Sequence, residues 1–126
     1  NNVSVTGRVR DIRGYIQKAS VCIAPLISGA GLRTKVVQYA ALRRPCVATS
    51  IAAEDLEFED GRDMMIANDP EQFAVRVVHL LLNPEFAAKV AEAAHGRAMA
   101  SYENNNIVEH ALGGLYHLMD QSKGVV

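Results

Sequence analysis

The chain has 126 residues, 49% of them apolar and 21% charged, with a formal net charge of −1. That is enough for a single domain with a buried core, and the near-neutral balance argues against nucleic acid as principal partner, since phosphate-backbone binding needs a basic surplus. No apolar run is long enough to cross a bilayer.

Val3–Thr6 reads as a strand ended by Gly7. Asp11–Ser20 has Ile12, Tyr15, Ile16 and Ala19 at helical spacing, which predicts a short helix. Ser20–Leu26 is nearly all apolar, as a strand covered on both faces must be. After Gly29 and Gly31, the residues Leu32, Val36, Val37, Ala40 and Ala41 form a helical stripe that stops at "RRP". Pro45–Thr49 and Asp63–Asn68 read as two further strands.

The rest is helical and clearly punctuated. Asp69 is placed as an N-cap, with Pro70 at the first helical position and Gln72 completing a capping box. Phe73, Ala74, Val77, Val78 and Leu81 are the expected buried stripe. Asn83 and Pro84 repeat the device, with Glu85 and Lys89 spaced for an i, i+4 ion pair. A last helix is expected over Asn105–Met119, burying Val108, Ala111, Leu112, Leu115 and Met119. Strand–helix alternation of this kind predicts an α/β fold. The expected form is a partial doubly wound, Rossmann-like parallel sheet of about four strands, with helices on both faces and three consecutive helices at the end. Residues 1–120 form this domain and residues 121–126 a disordered tail. The start "NNVSVTGRVRD" lacks an initiator Met and shows no signal peptide, so the chain reads as part of a longer protein.

The stretch "PLISGAGLRTK" (25–35) carries the chemistry. In open α/β sheets ligands bind beyond the carboxyl ends of the strands, where loops enter helices. Glycines there let the backbone approach a ligand, and the free N–H groups of a helix start favour an anion. Cations are unfavourable at a helix amino terminus, yet Arg33 and Lys35 occupy this one without any acid. A phosphate or diphosphate would reconcile them. The spacing fits neither the dinucleotide fingerprint nor the P-loop, so a tight turn with solvated basic residues stays open.

Other residues have plainer readings. Cys22 and Cys46, inside apolar runs, are expected as core hydrophobes in a reducing compartment. The acids Glu54, Asp55, Glu57, Glu59 and Asp60 lack the EF-hand pattern and read as a solvated loop. His79, His95, His110 and His117 have no zinc spacing and are expected as surface or capping residues, so no metal site is expected. Arg43 and Arg44 suit the carboxyl end of a helix.

The glycine stretch also resembles the donor-site signature of retaining, nucleotide-sugar-dependent glycosyltransferases with two facing Rossmann-like domains (GT-B type, glycosyl transferases group 1). One branch of that family reads roughly "aP…GaG.r.Kv.EamA.g.PvVaT..g.eGl". Pro25, Gly29, Ala30, Gly31, Arg33, Lys35, Val36, Ala40, Pro45, Val47, Ala48, Thr49, Glu54 and Leu56 fit it in order. "VTGRVRDIRGYIQKASVCIAPL" and "GRDMMIANDPEQFAVRVVHLLLNPEFAAKVAEAAHGRAMASYE" extend the likeness over nearly the whole chain.

The resemblance implies the carboxyl-terminal, donor-binding domain of an enzyme that moves a sugar from a nucleotide diphosphate to a glycan or lipid acceptor, as in polysaccharide biosynthesis. The backbone of Gly29, Ala30, Gly31 and Leu32 would cradle the diphosphate or sugar hydroxyls, with Arg33 and Lys35 beside it. Gln38 stands where the family has a glutamate for the donor ribose, and Ser28 falls near a second family acid. Glu54 is a further candidate, while Ala52 and Asp55 replace expected glycines. No metal or cofactor beyond the donor is implied. The family's remaining catalytic groups lie in regions this chain does not contain, so no catalytic residue is assigned here and the isolated chain is expected to be inactive. Expected partners are the nucleotide-sugar donor, an amino-terminal acceptor domain and a second copy docking through an exposed sheet edge or the last helix. A cytoplasmic location with membrane association of the full-length protein is expected. The competing reading is a non-catalytic interaction or ligand-sensing module with a degenerate donor site.

Overall fold

The computed structural model describes residues 2–28 and 33–102, with the backbone alone at 33, 101 and 102. The elements run α1 (Arg13–Lys18), β1 (Cys22–Ala24), α2 (Arg33–Ala41), β2 (Cys46–Ala48), β3 (Met65–Ile66), α3 (Pro70–Leu82) and α4 (Pro84–Tyr102). The strands form a parallel sheet in the order β1-β2-β3. Cys22 lies beside Cys46, Ala24 beside Ala48, and Val47 beside Met65. This is the α/β, partial Rossmann-like architecture that the strand–helix alternation predicts.

Alternation along β2 sends its side chains to opposite faces, and each face has a helical cover. Cys46 and Ala48 join Ala24, Val36, Val37 and Ala40 in a cluster that Ala94 and Ala98 of α4 complete. Val47 and Met65 join Leu80 of α3 with Ala87 and Val90 of α4. Helix α4 thus serves both faces. Its first turns pack beneath the sheet with α3, and its later turns cross α2 through alanines that permit close approach.

Local chemistry sets the boundaries. Asp69 is extended and its carboxylate accepts the N–H of Gln72 at 3.1 Å, with Pro70 at the first helical position. Helix α2 ends in a Schellman motif: the N–H of Arg44 donates to the Tyr39 carbonyl at 2.9 Å and that of Arg43 to the Ala40 carbonyl at 3.1 Å. The residue that must turn left-handed there is usually glycine; here it is Arg43, at φ +57°.

Three expectations change. Val3–Thr6 is not a strand: Val3 and Val5 are exposed and no described strand lies beside them. A β-rich sequence becomes a strand only where a neighbour accepts its backbone hydrogen bonds. The described sheet accordingly has three strands. The buried stripe of α3 is rotated: Leu80 is buried and Phe73 and Val77 pack beside it, while Ala74, Val78 and Leu81 face out. The acids Glu54, Asp55, Glu57, Glu59 and Asp60 are exposed, as expected of a solvated loop, although Ala52, Phe58 and Asp63 beside them are buried. Glu85 and Lys89 form none of the ion pairs found among the described residues. The helix expected over 105–119 and the tail at 121–126 lie outside the described residues.

Candidate functional site

The carboxyl ends of the parallel strands form a rim stitched by short polar side chains. Beyond β1 come Pro25 and Leu26, beyond β2 Thr49 and Ser50, and beyond β3 Ala67 and Asn68. The Thr49 hydroxyl donates to the Leu26 carbonyl, and the Thr49 N–H donates to the Ala24 carbonyl at 3.2 Å. Asn68 Oδ1 accepts both the N–H of Ser50 at 2.9 Å and its hydroxyl at 3.0 Å. These bonds fix the start of the loop that leads from β1 into α2. They also use up the polar groups that end each strand, so the rim is a scaffold for what stands on it. Thr49 was expected from its family position, but the Ser50–Asn68 tie was not. The available signal was one small polar residue at the carboxyl end of each of two apolar strands.

On this rim stand the predicted site residues. Ser28 is exposed on the loop after β1. Gly29, Ala30, Gly31 and Leu32 lie outside the described residues, as does the side chain of Arg33, whose backbone begins α2. Lys35 sits half-buried in the first turn of α2, a turn without acidic residues. No carboxylate among the described residues pairs with its ammonium group. Gln38, one turn on, is 4% exposed. Glu54 is exposed in the turn over 51–55 that follows β2, and its N–H donates to the Ile51 carbonyl at 3.3 Å. The strand order therefore brings Ser28, Lys35 and Glu54 to one end of the sheet, while Gln38 points into the protein.

The same turn explains a departure from the family pattern. Asp55 occupies an expected glycine position, and its φ is +64°. Left-handed backbone favours glycine, with aspartate among the better-tolerated substitutes. Ala52, the other replacement, is fully buried, so its methyl group contributes to packing.

The remaining acids serve the structure. Asp60 accepts the N–H of Ile66 at 2.9 Å and lies 3.7 Å from Arg76, and Glu59 lies 3.4 Å from Arg62. The described residues hold no group of three or more His, Cys, Asp or Glu side chains fit for a metal ion. Of the histidines, His110 and His117 lie outside the described residues; His95 Nδ1 donates to the Ala41 carbonyl at 3.1 Å at the end of α2, and the Phe86 ring meets His79 edge-on. Both cysteines are free and buried, as expected of core residues. Burial pushes the Cys22 thiol up to about 11, against a small opposing pull from Arg44, and raises Cys46 further.

The comparisons decide the family. The family model for glycosyl transferases group 1 matches residues 1–83, which includes the rim, the glycine loop, α2 and all of α3. The chain belongs to the glycosyl transferases group 1 family. No curated protein and no solved structure matches it. Membership agrees with the parallel sheet. It makes glycosyl transfer the general role. No described helix is long and apolar enough to cross a membrane.

Proposed function

We propose that this chain is the donor-binding part of a glycosyltransferase that moves a sugar from a nucleotide-sugar to a glycan or lipid acceptor. The observation that carries the reading is Lys35: a half-buried cation in the acid-free first turn of α2, beyond the carboxyl end of β1, with no carboxylate among the described residues to neutralise it. An ammonium group so placed raises the positive potential that the helix start already has, and a diphosphate matches it.

In the reaction, the bond between the anomeric carbon and the diphosphate oxygen breaks as an acceptor oxygen bonds that carbon. Negative charge grows on the leaving diphosphate. Lys35 and the N–H groups that open α2 would stabilise that charge, the largest service a preorganised site offers. The acceptor and its activating groups would come from outside this chain. The domain would thus hold the donor and accept the leaving group, acting in polysaccharide or glycolipid assembly.

Gln38 supports a second reading, a module that keeps the fold with a weakened donor site. It is uncharged where the family has a glutamate, so its amide would hold ribose hydroxyls less tightly than a carboxylate. Calorimetric titration of the chain with uridine and guanosine diphosphates separates the two. The donor reading expects saturable binding of at least one nucleotide, weakened tenfold or more by Lys35→Ala. Absence of binding to either, or binding indifferent to Lys35→Ala, overturns it in favour of the module.

A further inference from the structure

A cavity opens at the amino ends of the strands, opposite the rim. Ser20 and Pro45, which precede β1 and β2, line a pocket of about 520 Å³ together with Arg44, Leu80, Leu81 and Ala88. Parallel strands put their amino ends together, so this pocket lies across the depth of the sheet from Lys35 and the glycine loop. Its size falls within the range of small-molecule sites, about 300–1,000 Å³.

The charges in its wall do not balance. Arg43 donates from Nε to Glu92 Oε1 at 2.9 Å, which matches those two. Arg44 remains, with its Nε enclosed and lacking any hydrogen-bond partner in the protein. No carboxylate among the described residues pairs with it. A guanidinium cannot shed its charge, and an enclosed donor without an acceptor is costly. The Schellman turn offers no relief: its carbonyls are taken by the N–H groups of Arg43 and Arg44 themselves. The rest of the wall is aliphatic, from the α3–α4 corner.

We propose that this pocket binds a small monocarboxylate with an apolar body. The carboxylate meets the Nη edge of the Arg44 guanidinium, since the enclosed Nε offers a ligand no surface, and the body rests on Leu80, Leu81 and Ala88. With Glu92 matched by Arg43, Arg44 supplies one unbalanced positive charge, which suits a single carboxylate better than a dicarboxylate or phosphate. The site is separate from the donor site and does not rest on its existence.

The test is a ¹H–¹⁵N shift titration of the chain with hexanoate, alongside hexanol, hexanedioate and inorganic phosphate. Saturable shifts are expected at Ser20, Arg44, Leu81 and Ala88 with hexanoate, and binding at least tenfold weaker with each of the other three probes. Arg44→Gln should weaken hexanoate tenfold or more, about the worth of one charge-assisted contact. Ala88→Phe, at an exposed helix position, fills the pocket and should abolish the shifts while amides distant from the pocket keep their positions. Equal binding of hexanol reveals an apolar crevice only and overturns the proposal. So does binding of hexanedioate or phosphate as tight as hexanoate, an unchanged affinity in Arg44→Gln, or no saturable shift at all. Uridine diphosphate added to the same sample reports on the donor site independently, so failure of one reading leaves the other intact.

Discussion

Arg97 on α4 donates from Nε to Oδ2 of Asp63 at 2.6 Å, and the Asp63 side chain retains 1% of its exposure. The other oxygen of Asp63 accepts the N–H of Glu59, so one buried carboxylate closes the turn before β3 and ties it to a helix far along the chain. Arg97→Met leaves that carboxylate without its cation. Losing one partner of a fully buried pair costs about 3–5 kcal/mol; Arg97 keeps 27% of its side-chain surface in water, which moderates the loss to about 2 kcal/mol. Urea denaturation of the variant should show that lowered midpoint with the slope unchanged.

Asp11 gives the pH dependence. Its carboxylate accepts from the backbone N–H and Nε of Arg13 at 3.0 Å and from Nη2 at 3.0 Å. The bond from the Arg13 side chain holds its carboxyl below the usual range. A folded-state value below the unfolded one stabilises the fold above the unfolded carboxylate range and is lost as pH falls through the depressed value. Asp11→Asn should therefore lower the melting temperature at neutral pH by the equivalent of under about 1 kcal/mol. The difference from the parent should vanish as the pH drops below the usual aspartate range.

Asp55 tests the turn beyond β2. At φ +64° its backbone suits glycine best. Asp55→Gly should stay within about 0.5 kcal/mol of the parent, as relief of the left-handed backbone offsets the added freedom of the unfolded chain. Asp55→Val places a β-branched residue there and should cost about 1–2 kcal/mol. A thermal-shift comparison of the two variants measures the contrast.

These positions show how much of the molecule was legible in advance. Proline and aspartate at 69–70 announced a helix start because capping is a local contest between one side chain and nearby amides, and Asp69 wins it as expected. Strand–helix alternation likewise placed Ser28 and Lys35 at the carboxyl end of the sheet. What escaped depends on partners distant in sequence. Val3–Thr6 has the composition of a strand but is not part of the described sheet, and the buried side of α3 is the one that joins Leu80 to Val47. The left-handed turn at Arg43 was hidden, since nothing there called for a glycine, whereas the family pattern did expect one at Asp55. Nor does local sequence reveal that Gln38 is buried.

Gln38→Glu restores the family's acid at a buried position. If the chain holds a nucleotide donor, the carboxylate should tighten binding of the matching nucleoside diphosphate several-fold by accepting from ribose hydroxyls. The same change buries a charge and should lower stability in the absence of nucleotide. Calorimetry and melting temperature, read together, should move in opposite directions.

Cys22 and Cys46 lie side by side on adjacent strands with thiols raised by burial. A thiol reagent at neutral pH should modify neither in the folded chain, and both at the rate of unfolding. Rapid labelling of one would mean that β1 opens locally.

The alanine contact between α2 and α4 has a mechanical meaning. Ala40 and Ala41 on one helix and Ala94 and Ala98 on the other contribute to the same cluster without long side chains to bend. A junction of that kind transmits displacement with little slack. Helix α4 therefore acts as a stiff lever on α2, and a load applied near residue 98 is delivered to the helix whose opening turn bears Lys35.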